Sequence, residues 1–397
     1  MSAVCYREAR EGWEMKVTGV KTFLVHPGSG KHWLFVKVET DAGIYGWGEC
    51  YTQADRDQVI ALQAEQIGRY LIGRDPFAIK HFTTTMYLDW AGKRGSMEFY
   101  CALSGLEQAL WDIAGKATNQ PVYNLLGGAC RERIRVYANG WGGGARTPEA
   151  IAAAAAEVVA RGFTALKFDP FPGPWRELVS RADECEAVAR VQAVRVAVGP
   201  EVDILIEVHR RLAPESAARM ARLFTPFDPF WYEEPTSSRQ LSALVEARRR
   251  IDLPLVAGEE LYTKLDFRPL FESGAVDIIN PDVCNCGGIL ELKEIAAMAE
   301  PYAVVVSPHN YNSTTVGLAA TVQVAACIPN FLITEYFVNW EEVGASIARP
   351  PLIARDGYID LPTAPGLGLD LDEEALLARG YRQFAKRGIR QPGEEGP

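Results

Sequence analysis

The chain has 397 residues, 48% of them hydrophobic and 23% charged, with a formal net charge of −10. That composition excludes a disordered chain, and the acidity, with no long basic run, argues against a nucleic-acid partner. No stretch of about 18 apolar residues is present, so a membrane span is not expected.

Residues 1–14, MSAVCYREAREGWE, are charged and contain no apolar core of the kind a secretory signal needs; they read as a short leader before a strand starting near Met15. The eight cysteines, at 5, 50, 101, 130, 185, 284, 286 and 327, form no CxxC pair and no disulfide framework. Cys284 and Cys286 are expected to be small buried residues rather than metal ligands. A reduced, cytoplasmic location follows as the default.

In chain order, VKTFLVH, WLFVKVET and IYGWGEC, with a turn at Asp41-Ala42-Gly43, predict a small antiparallel meander from Val17 to Glu49. Helical spacing follows from about 54 to 126, and in SGLEQALWDIAGKA residues Leu103, Leu106, Leu110 and Ile113 share one face. These pieces make an α+β capping domain over 15–130.

From 131 to 340 the texture changes to eight β-rich runs alternating with helical stretches. The runs are RVYANGW, ALKFDPF, DILIEVH, FWYEEP, PLVAGEE, VDIINPD, VVVSPHN and FLITEYF. This alternation predicts an α/β fold with a modified (β/α)8, TIM-like barrel. Polar residues close the runs: Lys167 and Asp169, Glu207 and His209, Glu233, Glu259, Asp282, His309 and Glu335. From Glu207 onward they stand 26, 26, 23, 27 and 26 residues apart, one β/α unit each time. All therefore fall on the C-terminal rim, where barrel active sites are built. A doubly wound open sheet, the alternative, does not ordinarily bring six successive strand ends into one ring. The segment 341–397, including LPTAPGLGLDLDEEALL, loses the repeat and is expected to return to the capping domain.

Three carboxylates at one rim repel each other, by roughly 4 kcal/mol per pair at about 4 Å and an effective dielectric near 20. Glu207, Glu233 and Glu259 thus call for a cation, and oxygen donors alone select Mg²⁺, with Mn²⁺ the other metal they accept. WYEEP and GEE each offer two glutamates, and side-chain alternation lets only one of each face the metal. The chosen pair leaves Glu234 and Glu260 for donors behind the metal or for substrate. A single rim glutamate would be read as an ordinary surface residue; three on successive strands are not.

Two of the five histidines, His209 and His309, lie on this rim, where neutral-pH acid–base work belongs. Asp282 closes the strand before His309 and could orient its ring. Lys167 could counter a substrate carboxylate, act as a second base, or form a salt bridge within the rim. His26, His32 and His81 lack a neighbouring carboxylate cluster and default to solvent or capping roles.

The set Glu207-Val-His209, WYEEP, GEE, NPD at 280–282, SPH at 307–309 and Glu335 resembles the mandelate racemase branch of the enolase superfamily. YANGW and LKFDPF are similar to the gluconate and galactonate dehydratases in particular. The resemblance implies a capping domain, one catalytic Mg²⁺ held by the three glutamates, a His309–Asp282 base and Glu335 bonded to the intermediate. It also implies His209 as the acid for a leaving hydroxyl, and a homo-oligomer. Mandelate racemase carries Lys-x-Lys where this chain has Lys167-Phe168-Asp169, which weighs against racemisation. Many relatives have Asp where Glu207 stands.

The expected reaction is removal of the proton next to a substrate carboxylate and loss of the 3-hydroxyl, giving a 2-keto-3-deoxy sugar acid. Asn139, Trp141, Asp169, Glu260, Asn310, Arg210, Tyr311 and Asn312 would supply polar partners for a small polyhydroxy acid. His26 and Tyr51, in loops of the first module, are expected over the pocket. The alternatives are a racemase or epimerase using Lys167 and His309, and a metal-binding protein without activity.

Overall fold

The computed structural model describes residues 15–90, 92–173 and 177–393. The expected leader, 1–14, lies outside the described residues, as do the last four residues of the C-terminal segment.

The chain opens with strands β1 (Val17–Val25), β2 (Trp33–Thr40) and β3 (Tyr45–Cys50), an antiparallel sheet in the order β1-β2-β3. Leu34 pairs with Cys50 and Val25 with Trp33, so the sheet ends together at the edge facing the barrel. Helices Asp57–Gly68, Ile79–Asp89, Met97–Thr118 and Val122–Leu125 follow. Met97–Thr118 is well punctuated: Ser96 Oγ accepts the Phe99 amide hydrogen at 3.1 Å, and Asn119 ends the helix in a left-handed conformation at φ 54°. β3 lies directly on this helix. A Cβ on Gly48 would come within 1.8 Å of the Gly105 carbonyl oxygen, so only glycine permits the approach.

The one-sided pattern expected for that helix understates its burial. Leu103, Leu106, Leu110 and Ile113 are buried, and so are Ser104, Glu107, Gln108 and Asp112. The polar face is buried because it carries the bonds that join the two halves of the molecule. Gln108 bonds the Glu49 backbone on one side and donates to the Val283 carbonyl at 3.2 Å on the other. The hydrophobic core is likewise continuous, running from Trp33, Phe35 and Leu106 to Ile289, Ile295 and Val324.

Eight parallel strands then alternate with helices: β4 (Arg133–Asn139), β5 (Ala165–Phe168), β6 (Asp203–Glu207), β7 (Trp231–Glu233), β8 (Leu255–Ala257), β9 (Ile278–Ile279), β10 (Val305–Val306) and β11 (Thr334–Phe337). β11 pairs with β4, Glu335 opposite Tyr137, while Phe331 just before it bridges Val306 of β10. The sheet therefore closes on itself as a barrel. Tyr137, Leu205, Trp231, Val256, Ile278 and Ile333 fill its interior below the rim.

The strands are shorter than the sequence runs suggest, β9 and β10 having two residues each. The polar ends of those runs leave the ladder to bond one another, and Asp282 and His309 form an isolated bridge of their own. After Trp340 a third segment forms β12 (Ala348–Arg349), whose antiparallel partner is Asp370–Leu371, and β13 (Tyr358–Asp360), which pairs antiparallel with β4 of the barrel. It then reaches the first sheet through β14 (Asp370–Leu371), where the Trp47 indole donates to Asp370 at 2.6 Å.

Candidate active site

Glu207 ends β6, Glu233 ends β7 and Glu259 lies just past β8, so three consecutive strands deliver one carboxylate each to the same end of the barrel. Each offers an oxygen, and these oxygens lie within 4.8 Å of one another. Lys167, from β5, stands against them with Nζ 3.4 Å from Glu207, 2.9 Å from Glu233 and 3.0 Å from Glu335. All these side chains are buried.

Such crowding splits the protonation of the group. Burial, followed by the charge of Glu207, pushes Glu233 well above the usual carboxylate range. Burial acts upward on Glu207 as well, but the His209 and Lys167 charges outweigh it and hold Glu207 below that range. Burial draws Lys167 down, yet the carboxylates of Glu233 and Glu335 more than reverse this and raise it well above an ordinary lysine. Like charges this close do not all ionise without a cation among them.

These residues fit a hard divalent cation. The donors are oxygens only, they converge, and Glu233 Oε2 is buried without a hydrogen-bond partner among the described residues. Neighbours fix the others in place. Glu207 Oε1 accepts the amide hydrogens of Val208 and His209, at 2.9 and 2.6 Å. The Asn280 amide, from the NPD sequence, donates to Glu233 Oε1 at 2.9 Å.

On one side stands His309, with Nδ1 2.7 Å from Asp282 Oδ2 and Nε2 3.2 Å from Glu259 and 3.6 Å from Glu335. Asp282 is itself held by the Cys284 amide at 2.7 Å and by Asn312 at 3.1 Å. Burial lowers the basicity of His309, but Glu259, Glu335 and Asp282 together raise its pKa to about 9. Glu335 accepts from Asn139 at 2.7 Å and from the Asn310 amide at 2.9 Å.

A second histidine–carboxylate pair faces the same space, with His209 Nδ1 3.0 Å from Asp169 Oδ2. Asp169 also pairs with Arg211 and accepts the Phe171 amide hydrogen at 2.9 Å. His209 and Arg210 both adopt left-handed backbone, φ 52° and 53°, which turns successive side chains toward the rim.

The cavity above these groups measures about 370 Å³, and Tyr51, Asn139, Lys167, Asp169, Glu207, His209, Arg210, Glu259, His309 and Glu335 are among its lining. Five residues expected there, Trp141, Glu260, Asn310, Asn312 and His26, do not line it, and Asn312 is instead bonded to Asp282. The Trp141 indole instead donates to the Lys167 carbonyl at 2.9 Å, and Glu260 accepts from Ser237 and Ser238. Asn310 has a fully buried side chain. His26 packs its ring on Phe384 at 4.3 Å and on His32 at 5.2 Å, held there by aromatic contact. His32 is buried too, bonded to Asp57 and to the Arg382 carbonyl, so it is neither a solvent-facing nor a capping residue.

Sequence reading missed Lys31. Its ammonium lies 3.8 Å from the Tyr51 ring centroid and 4.4 Å from that of Tyr311, and donates to the Thr52 carbonyl at 3.1 Å. Both rings stand beside His309, 6.1 and 6.4 Å away. Burial lowers the Lys31 pKa to about 8 against the opposing pull of Asp282 and Glu49. Its only sequence signal was a lysine in a glycine-rich loop, indistinguishable from a solvated one.

Residues 20–127 match the model of the mandelate racemase / muconate lactonizing enzyme N-terminal domain, and residues 150–375 match the enolase C-terminal domain-like model. The chain is 35% identical over 372 residues to a D-galactonate dehydratase of Ralstonia pickettii (strain 12J), covering 92% of this chain and 94% of that protein. It is also 35% identical over 348 residues to a D-gluconate dehydratase of Thermoproteus tenax, covering 86% and 69%. Among solved structures, a mandelate racemase/muconate lactonizing enzyme-like protein from Rubrobacter xylanophilus DSM 9941 superposes with a TM-score of 0.84 at 38% identity, over 93% of this chain and 98% of that one.

Proposed function

The chain belongs to the mandelate racemase / muconate lactonizing enzyme family of the enolase superfamily, and from that premise we propose that it is a Mg²⁺-dependent acid-sugar dehydratase. The observation that carries the reading is the pair of histidines, His309 and His209, each backed at Nδ1 by a carboxylate and both facing one cavity. Elimination of water needs a base for the α-proton and an acid for the departing hydroxyl, and the site holds one candidate for each.

Glu207, Glu233 and Glu259 would hold the metal. When bound it supplies a Lewis acid that stabilises charge developing on the substrate carboxylate. Everything else falls to side chains of this chain. Asp282 fixes the His309 ring so that Nε2 faces the cavity, and it offsets the imidazolium charge once Nε2 has taken the proton from C2. Lys167 and Glu335 border the carboxylate end, Lys167 as a counter-charge and Glu335 as a hydrogen-bond partner. His209, oriented by Asp169, gives a proton to the 3-hydroxyl as the C3–O bond breaks and water departs. The enol left behind tautomerises to a 2-keto-3-deoxy acid. Asn139, Asp169 and Tyr51 supply donors and acceptors suited to a polyhydroxy chain.

The relatives named above as D-gluconate and D-galactonate dehydratases support this substrate class. Lys167 tells against the epimerase alternative, since three carboxylates already hold its ammonium. Among the described residues no helix is long and apolar enough to cross a membrane. A cytoplasmic location and a homo-oligomeric state belong to the same proposal.

The test is incubation of the protein with Mg²⁺ and gluconate, galactonate, mannonate and related acids in D₂O. Formation of a 2-keto acid is expected with at least one of them. Deuterium entering C2 without loss of water across the panel would overturn dehydration in favour of epimerisation.

A further inference from the structure

We propose that Arg210, at the cavity wall, and Glu234, buried behind it, are a pair of positioning residues that present Glu259 to the divalent cation. This rests on the reading that Glu207, Glu233 and Glu259 hold that cation.

Glu234 is the neighbour of Glu233 that side-chain alternation turns away from the metal. It is fully buried, and among the described residues its ion-pair partner is Arg210, whose Nη1 lies 2.8 Å from Glu234 Oε2. The same guanidinium reaches Glu259, with Nη1 2.9 Å and Nη2 2.8 Å from Oε1. With Oε1 taken by this two-pronged contact, Oε2 is left on the His309 side, 3.2 Å from Nε2. The carboxylate of Glu259 therefore has one rotation open to it, and Arg210 sets that rotation.

The backbone is shaped for this contact. Arg210 and Glu234 are both in the left-handed region, at φ 53° and 43°, where residues bearing a Cβ are disfavoured. The Arg210 amide donates to the Glu234 carbonyl at 2.6 Å, so the pair is joined through main chain as well as side chain. Glu234 in turn anchors the guanidinium that grips Glu259. Neither residue needs to touch the reacting atoms.

The experiment is calorimetric titration of the full-length protein with Mg²⁺ alone, beside thermal melting without metal. Glu234→Gln removes the carboxylate that anchors the guanidinium, and Arg210→Gln releases the Glu259 carboxylate. Each is expected to weaken Mg²⁺ binding by about 10- to 100-fold, the range for groups that orient metal ligands. Because the two act as one unit, the double variant should bind no worse than the weaker single one. If Arg210→Gln fails to fold, Arg210→Lys keeps the charge without the fork and should show the same weakening. A merely structural pair would lower the melting temperature and leave the affinity alone. Single variants within about twofold of wild type, or losses that multiply in the double variant, overturn the inference. Wild-type protein that takes up no Mg²⁺ overturns the parent reading as well, so the two failures are told apart.

Discussion

Glu107, in the middle of helix Met97–Thr118, accepts the amide hydrogen of Ile289 at 2.7 Å and so caps a helix that belongs to the barrel. It takes the Leu290 amide as well, at 2.9 Å, and the Trp111 indole at 2.8 Å. Glu49 does the same for the helix Val316–Cys327, accepting from the amides of Ser313 at 2.9 Å and Gly317 at 2.7 Å. Each glutamate is a carboxylate from the N-terminal half placed at the positive end of a barrel helix.

Burial outweighs those bonds and raises the Glu107 pKa from 4.5 to about 7. The folded protein therefore keeps that proton after the unfolded chain has released it, and Glu107 costs stability progressively as pH rises through this window. Once the folded-state group has ionised too, the loss levels off near about 3 kcal/mol, a tenfold change in proton affinity being worth about 1.4 kcal/mol. Glu107→Gln is expected to flatten this part of the curve. Denaturant unfolding of wild type and variant from about pH 5 to 8 checks it, and parallel curves would refute it.

His309→Asn should lower exchange of the substrate α-proton by roughly 10²- to 10⁴-fold while Mg²⁺ affinity stays near that of the wild type. Proton NMR of substrate in D₂O, with calorimetry alongside, measures both. Undiminished exchange would remove His309 as the base.

His209→Asn separates the two proton transfers. Water loss should fall by about 10²-fold or more while slow exchange at C2 persists, because the base is intact. Asp169→Asn should act in the same direction but less severely, as it orients the ring. Equal loss of exchange and elimination would show that one histidine does not serve as acid alone.

Chelation should lower the melting temperature, and Mg²⁺ at about a hundredfold above its dissociation constant should restore about 2.7 kcal/mol. Glu233→Gln should abolish the response. A melting temperature indifferent to EDTA would show that the three carboxylates do not share a cation.

The rim was readable because the barrel repeats: a polar residue every 23 to 27 positions marked successive strand ends, and those residues do converge. The His309–Asp282 contact was readable for the same reason, from adjacent strand ends. Where side chains act across the two halves of the chain, sequence carried no comparable signal. Glu107 and Gln108 occupy helix positions that a one-sided apolar pattern assigns to water, and Lys31 sits in a loop without periodicity. His26 lies in the loop expected over the pocket, but its ring has better company in His32 and Phe384 than in the cavity. The left-handed turn at His209 and Arg210 is equally invisible, since neither residue is a glycine that would mark it.

The cavity has a front panel and a machine room. Tyr51, pinned between the Lys31 ammonium and His309, belongs to the panel, whereas His209, His309 and all three glutamates belong to the barrel. A lineage could therefore change which acid it admits by rewriting a few loop residues ahead of the barrel, leaving the bond-breaking apparatus untouched. The restriction on such refitting is Lys31: any replacement panel must still offer its charge an aromatic cradle, or do without the charge altogether.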